Sequence, residues 1–253
     1  MIRIAVLGCG RIGAMHAYNI AAHPRATLAA VFDINEAAAT AVASKTGAKV
    51  LGSVAAVLAD AEVDAVLIAT ATDTHADILE ACVAAGKPVL CEKPIDLSLA
   101  RVNACAAKIA GSAVPIQLGF VRRFDPGHRA VRKAIEAGDL GEVHQVTITS
   151  RDPGAPPAAY IRASGGIFRD MLIHDFDVFR WILCADGDEA QWLSATGSVL
   201  TDPAIEAAIR QRAEEGRGDD VGQEAGNRAV MRLGDIVGNS GGIEFGDVNV
   251  QPG

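Results

Sequence analysis

Three side chains in this sequence have the types and spacing needed to remove a proton from an alcohol: Lys93, Asp170 and His174. Asp170 and His174 stand at an i, i+4 spacing, which places them on one face of a helix within reach of each other. A carboxylate so placed can orient an imidazole, fix its tautomer and stabilise the imidazolium formed when it acts as a general base. Lys93 lies in Cys91-Glu92-Lys93-Pro94, at the end of an apolar run. A lysine there could hold a substrate hydroxyl or stabilise a developing alkoxide, with Glu92 as a nearby countercharge, and Pro94 restricts Lys93 to extended backbone. Each segment also has a plainer reading. The Glu92-Lys93-Pro94 segment could be a surface turn, and Asp170 and His174 a pair on a helix that packs through Met171, Ile173, Phe176 and Val178.

Oxidising a secondary alcohol also needs an acceptor for the hydride, and the N-terminal residues offer a place for one. An apolar run, Ile2-Arg3-Ile4-Ala5-Val6-Leu7, leads into Gly8-Cys9-Gly10-Arg11-Ile12-Gly13, and a second, Leu28-Ala29-Ala30-Val31-Phe32, ends on Asp33. Strand, glycine-rich turn, helix, strand and acidic residue in this order form the dinucleotide-binding arrangement. Gly8 permits the tight turn, Gly10 the approach of a pyrophosphate, and Gly13 close packing of helix on strand. The helix start, with Arg11 and Ile12, supplies free N–H groups and the positive end of the helix dipole. Asp33 would accept hydrogen bonds from the adenosine ribose hydroxyls and repel a 2′-phosphate. No Arg or Lys follows it (Ile34, Asn35), so NAD is expected over NADP. A third segment, Ala69-Thr70-Ala71-Thr72-Asp73-Thr74-His75, follows an apolar run. Ligands in open α/β sheets bind beyond the carboxyl ends of strands, so Thr70, Thr72 and His75 are expected to face the cofactor, as are Glu92 and Lys93 one unit later.

These residues need a scaffold, and the composition indicates which. Of 253 residues, 50% are hydrophobic but only 4% aromatic, which suits an aliphatic core of buried parallel strands under Ala-rich helices. A net charge of −8 argues against nucleic acid and anionic membranes as partners. The five cysteines, Cys9, Cys82, Cys91, Cys105 and Cys184, are scattered, with no C-x-x-C pair, and read as reduced thiols of a cytoplasmic protein. No leader and no membrane span is read, so a soluble chain is expected.

Strand-like runs at 2–7, 27–32, 64–69, 88–91 and 115–119 alternate with helical stretches at 11–22, 35–46, 53–59, 75–85 and 97–110. This alternation predicts an α/β fold with a doubly wound parallel sheet over residues 1–120. The pattern then changes. Residues 121–253 are expected to form an α+β domain, with a helix at 126–137, a β-rich run at 143–150, a Pro/Gly loop at 153–166, one helix at 170–183 and a strand at 190–200. Beyond about 203 the periodicity weakens and irregular chain is expected.

Taken together, the nucleotide motif, the A-T-x-x-x-x-H segment, the E-K-P turn and the D-x-x-x-H helix resemble the glucose–fructose oxidoreductase/inositol dehydrogenase (Gfo/Idh/MocA) family. The likeness to bacterial inositol 2-dehydrogenases is carried by Gly119-Phe120-Val121-Arg122-Arg123-Phe124-Asp125, Thr149-Ser150-Arg151-Asp152-Pro153 and Gly166-Ile167-Phe168-Arg169-Asp170-Met171-Leu172-Ile173-His174-Asp175. The resemblance covers residues 2–203. It implies a Rossmann domain followed by an open, mostly antiparallel sheet of the kind that forms homo-oligomers, dimers or tetramers. It implies NAD-dependent oxidation of a cyclitol or sugar hydroxyl, with myo-inositol to 2-keto-myo-inositol the leading case. By position, Lys93, Asp170 and His174 match the catalytic trio, Arg122 and Asp152 the substrate contacts, and Lys93–Pro94 a bond that is often cis in relatives. The family continues past this length, so the second sheet is expected to be incomplete. That leaves a competing reading, an NAD-binding member without turnover.

Overall fold

The computed structural model describes residues 1–151, 160, 164 and 166–183, and the backbone of 190–198, 228–236, 243–244 and 248–249. The chain divides into two compact units, Met1–Phe120 and Val121–Gly253.

The first unit carries a six-stranded sheet of β1 (Ile2–Leu7), β2 (Ala26–Phe32), β3 (Lys49–Val50), β4 (Ala65–Ile68), β5 (Val89–Cys91) and β6 (Ile116–Leu118). Its order is β3-β2-β1-β4-β5-β6, with every pairing parallel. The direction of winding therefore reverses between β1 and β4, the place where such sheets open a crevice at their carboxyl ends. Helices α1 (Arg11–Ala22), α2 (Glu36–Thr46), α3 (Val54–Ala59), α4 (His75–Ala84) and α5 (Leu99–Ile109) make the crossovers. Two buried apolar clusters fill the unit. One gathers Ala5, Leu7, Val66, Ile68 and Leu79, and the other gathers Val6, Val31, Val42 and Leu67. Alternate residues of β1 and β4 thus serve opposite faces, as a strand covered on both sides requires. Local signals end the helices where they were expected: Asn35 and Ser53 cap the starts of α2 and α3, and Gly47 closes α2 in the left-handed conformation.

The second unit begins with α6 (Pro126–Glu136), whose cap Asp125 accepts from the N–H groups of Gly127 and His128. The expected single helix at 170–183 is two: α7 (Gly166–Asp170) and α8 (Leu172–Leu183), with a turn at Met171 between them. The run 143–150 is not a strand, a second correction. Its β-rich composition provides propensity, but a strand needs a ladder partner, and none pairs with it among the described residues. Strands β7 (Ala190–Ser198), β8 (Arg228–Ile236), β9 (Ile243–Glu244) and β10 (Val248–Asn249) form an antiparallel sheet in which β8 pairs with the other three. β8 therefore lies in the stretch expected to be irregular. Its Ala229-Val230-Met231-Arg232-Leu233 core sits between Gly- and Asp-rich flanks, and long-range pairing with β7 organises it.

Candidate functional site

At the carboxyl end of β1 the chain turns on Gly8, whose φ is +89°. A Cβ on Gly8 would lie 2.3 Å from the Ala69 carbonyl oxygen, and one on Gly13 would lie 1.8 Å from the Gly8 carbonyl oxygen. Only hydrogen fits at either position, so the start of α1 sits directly over the turn and the turn lies against the end of β4. Gly10 differs, since a Cβ there would meet nothing within 4 Å. It caps α1 with no side-chain hydrogen bond and no acidic residue in the first turn. Uncapped donors, the positive helix end and room above Gly10 fit a pyrophosphate. Arg11 is exposed and Ile12 half-buried on that first turn.

Asp33, half-buried at the end of β2, completes this arrangement. Its Oδ2 accepts the Cys9 N–H at 2.6 Å and its Oδ1 the Asn35 N–H at 2.7 Å. The next side chain, Ile34, is 97% exposed, so no cation stands beside the carboxylate along the chain. This donor-oriented, acidic position, with no cation next to it in the chain, fits a ribose diol and not a 2′-phosphate. Burial and the Asp33 charge push the Cys9 thiol up to about 11. Cys9 is thus a packing residue of the turn.

Thr70 lies two residues past β4, and its hydroxyl lies 2.7 Å from that of Thr74 across the short turn that Thr72 opens. His75 differs from the sequence expectation. Its ring is 2% exposed, with Nδ1 2.8 Å from the Pro94 carbonyl oxygen and Nε2 3.0 Å from that of Thr70. The side chain expected to face the cofactor is turned inward against two segments of backbone.

Lys93 and Glu92 follow β5, and the Lys93–Pro94 peptide is cis. Glu92 Oε1 lies 2.7 Å from Nε2 of His16, a residue of α1 that the sequence reading passed over. Both side chains are largely buried. Burial alone would raise the Glu92 carboxyl, but the His16 ring and the Lys93 backbone N–H and ammonium outweigh it and hold it below the usual glutamate value. The signal for His16 was available: it lies one turn beyond Gly13, on the helix that the glycines aim.

In the second unit, Asp170 ends α7 and accepts from the Tyr160 hydroxyl at 2.8 Å, while His174 lies in the first turn of α8 with its N–H donating to the Met171 carbonyl. Arg122 donates to Ser150 Oγ at 3.1 Å and to Asp175 Oδ1, and Ser150 also donates to that oxygen at 2.7 Å. Arg123 grips Asp177 with two nitrogens. Asp175 and Asp177, both buried, therefore hold the arginine pair, and neither was singled out from sequence. Their one-helix context, His174-Asp175-Phe176-Asp177, reads as a solvent-facing acidic stretch until the arginines are placed. Asp152 lies outside the described residues.

Similarity to known proteins agrees with this geometry. Residues 2–120 match the family model of the GFO_IDH_MocA oxidoreductases with an NAD-binding Rossmann fold, and residues 128–234 match the GFO/IDH/MocA C-terminal domain. The second match runs into β8, so the family likeness extends beyond the lapse expected near 203. The chain is 51% identical over 204 residues to an inositol 2-dehydrogenase of Rhizobium meliloti (strain 1021), covering 81% of this chain and 61% of that relative. It superposes with a TM-score of 0.83 on a myo-inositol dehydrogenase from Corynebacterium glutamicum ATCC 13032, at 34% identity, covering 98% of this chain and 68% of that one. A scyllo-inositol dehydrogenase from Lactobacillus casei, solved with bound NAD(H) and scyllo-inositol, gives a TM-score of 0.81 at 27% identity, covering 100% of this chain and 71% of that one. The chain spans about 61% of the length of the curated relative it matches. With both halves matched in order on one scaffold, the chain belongs to the Gfo/Idh/MocA oxidoreductase family.

Proposed function

We propose that this chain binds NAD and oxidises a secondary hydroxyl of a cyclitol, with myo-inositol to 2-keto-myo-inositol the leading reaction. The observation that carries the substrate class is the 51% identity to an inositol 2-dehydrogenase. The cofactor choice rests on Asp33, whose carboxylate is oriented by Cys9 and Asn35 and has no cation next to it in the chain. No observation favours a member without turnover, and that reading is not adopted.

When bound, NAD would supply the oxidant, the acceptor for the hydride that leaves the alcohol carbon. The remaining steps belong to this chain's side chains. The start of α1 and Asp33 hold the pyrophosphate and ribose. His174 takes the hydroxyl proton as general base, and Asp170, itself held by Tyr160, orients the imidazole and favours its charged form. Lys93 lowers the cost of the developing alkoxide by presenting a positive charge to it. Arg122, steadied by Asp175 and Ser150, and Asp152 contact the other hydroxyls of the ring.

The test is absorbance in the reduced-nicotinamide band with NAD and myo-inositol, scyllo-inositol and a set of pyranoses. Turnover of an inositol, with NAD strongly preferred over NADP, is the expected result. Folded protein that binds NAD but oxidises none of these polyols overturns the proposal.

A further inference from the structure

Both neighbours of Lys93 are held by histidines. On one side, His16 of α1 contacts the Glu92 carboxylate at 2.7 Å. On the other, His75 at the start of α4 contacts the Pro94 carbonyl oxygen at 2.8 Å. The second nitrogen of His75 reaches the Thr70 carbonyl oxygen at 3.0 Å, so one ring ties the loop after β4 to the turn after β5.

The segment needs such ties. From Glu92 to Ser98 the backbone belongs to no helix or strand, and its sheet anchor is the Glu92 N–H on the Ile68 carbonyl at 2.9 Å. A lysine on an irregular backbone adds the freedom of that backbone to the freedom of its own four-carbon stem. Gly119 is part of the same arrangement. A Cβ there would lie 2.7 Å from Glu92 Oε2, so the missing side chain provides the slot that the carboxylate occupies.

We infer that His16 and His75 are positioning residues for Lys93, fixing the residues before and after it so that its ammonium is presented along one line. The consequence for turnover rests on the dehydrogenase reading above, whereas the hold on the turn does not.

The experiment compares His16→Leu, His16→Gln, His75→Leu and His75→Gln, alone and with Lys93→Ala, in the full chain. Steady-state kinetics with NAD and myo-inositol, NAD affinity by calorimetry and amide exchange over residues 91–98 are measured for each. Because misplacement by about 1 Å can cost roughly 100-fold, the leucine variants should lose about tenfold or more in kcat. NAD affinity should stay within about threefold, the local difference expected for a residue that does not touch the ligand. Exchange over 91–98 should quicken. The glutamine variants, which keep one donor, should recover part of the loss, and they carry the comparison if a leucine variant does not fold. The kcat loss should vanish in the Lys93→Ala background. Leucine variants with unchanged kcat and exchange overturn the inference, as does an equal loss without Lys93. His75→Leu that weakens NAD about tenfold at unchanged kcat makes His75 a cofactor ligand instead. If the unaltered protein oxidises no polyol, the dehydrogenase reading fails alone, and exchange over 91–98 still decides whether the histidines hold the turn.

Discussion

The Asp33 carboxylate accepts the Cys9 N–H at 2.6 Å, so the acidic end of β2 and the glycine turn after β1 form one oriented unit. Substituting Asp33→Ala removes the acceptor for the ribose hydroxyls and the charge that excludes a 2′-phosphate. NAD affinity should fall about tenfold or more, as expected for lost charge-assisted hydrogen bonds, while NADP affinity changes far less. Calorimetric titration with each nucleotide checks this, and an unchanged preference would remove the ribose assignment.

Gly13→Ala places a methyl group 1.8 Å from the Gly8 carbonyl oxygen, and backbone cannot yield cheaply there. The variant should lose about 2 kcal/mol or more of stability. Gly10→Ala, with open space around its Cβ, should lose little by comparison. Urea unfolding of both variants, with NAD absent, separates a packing effect from a binding one.

His174→Ala should lower kcat for polyol oxidation by about 100-fold or more, the usual contribution of a positioned base. In the unaltered protein the oxidation rate should rise with pH as the base loses its proton, and this rise should flatten in the variant. Lys93→Ala should also lower kcat strongly but keep the pH-dependent rise. A pH profile that survives His174→Ala would assign the base elsewhere.

Glu92 is held below the usual glutamate range in the folded chain, since its partners outweigh its burial. A depressed carboxyl adds stability above its unfolded value and loses it as pH falls through the folded one. Glu92→Gln should therefore be less stable than the unaltered protein at neutral pH. The gap should close on acidification below the ordinary glutamate value. Chemical-denaturation midpoints across that range report it, and a gap independent of pH would mean that shape and not charge is what matters.

Burial pushes the Cys82 and Cys91 thiols up to about 12, and burial with the Asp33 charge pushes Cys9 to about 11. Thiolate is the reactive form, so iodoacetamide at neutral pH should leave these three unmodified in the folded protein and label them in denaturant. Peptide mass mapping before and after unfolding is the measurement.

Most of the first unit was legible because its signals are local. Apolar runs of strand length, Ala-rich helices and glycines after helix ends placed β1, β2, α1 and α2 to within a residue or two. Asp33 could be read because its position relative to the glycines is a backbone constraint. His75 could not, since its spacing places it at the right strand end but says nothing of which way the ring turns. The contacts that decide it, Thr70 and Pro94, lie on two different loops. Met171 looks like any helix residue, yet the chain turns there between Asp170 and His174, so the i, i+4 relation is not carried on one continuous helix. The stretch 143–150 and β8 failed in opposite directions for one reason: composition gives a tendency to extend, whereas a strand exists only where a partner pairs with it.

The place of β1 at the middle of its sheet also bears on how this chain is made. In chain order β2 follows β1 closely, but the other neighbour of β1 in the sheet, β4, comes only after α1, α2 and α3. Until β4 is made, one edge of β1 carries unpaired backbone N–H and C=O groups. A half-made sheet with such an edge is a state open to association with other chains.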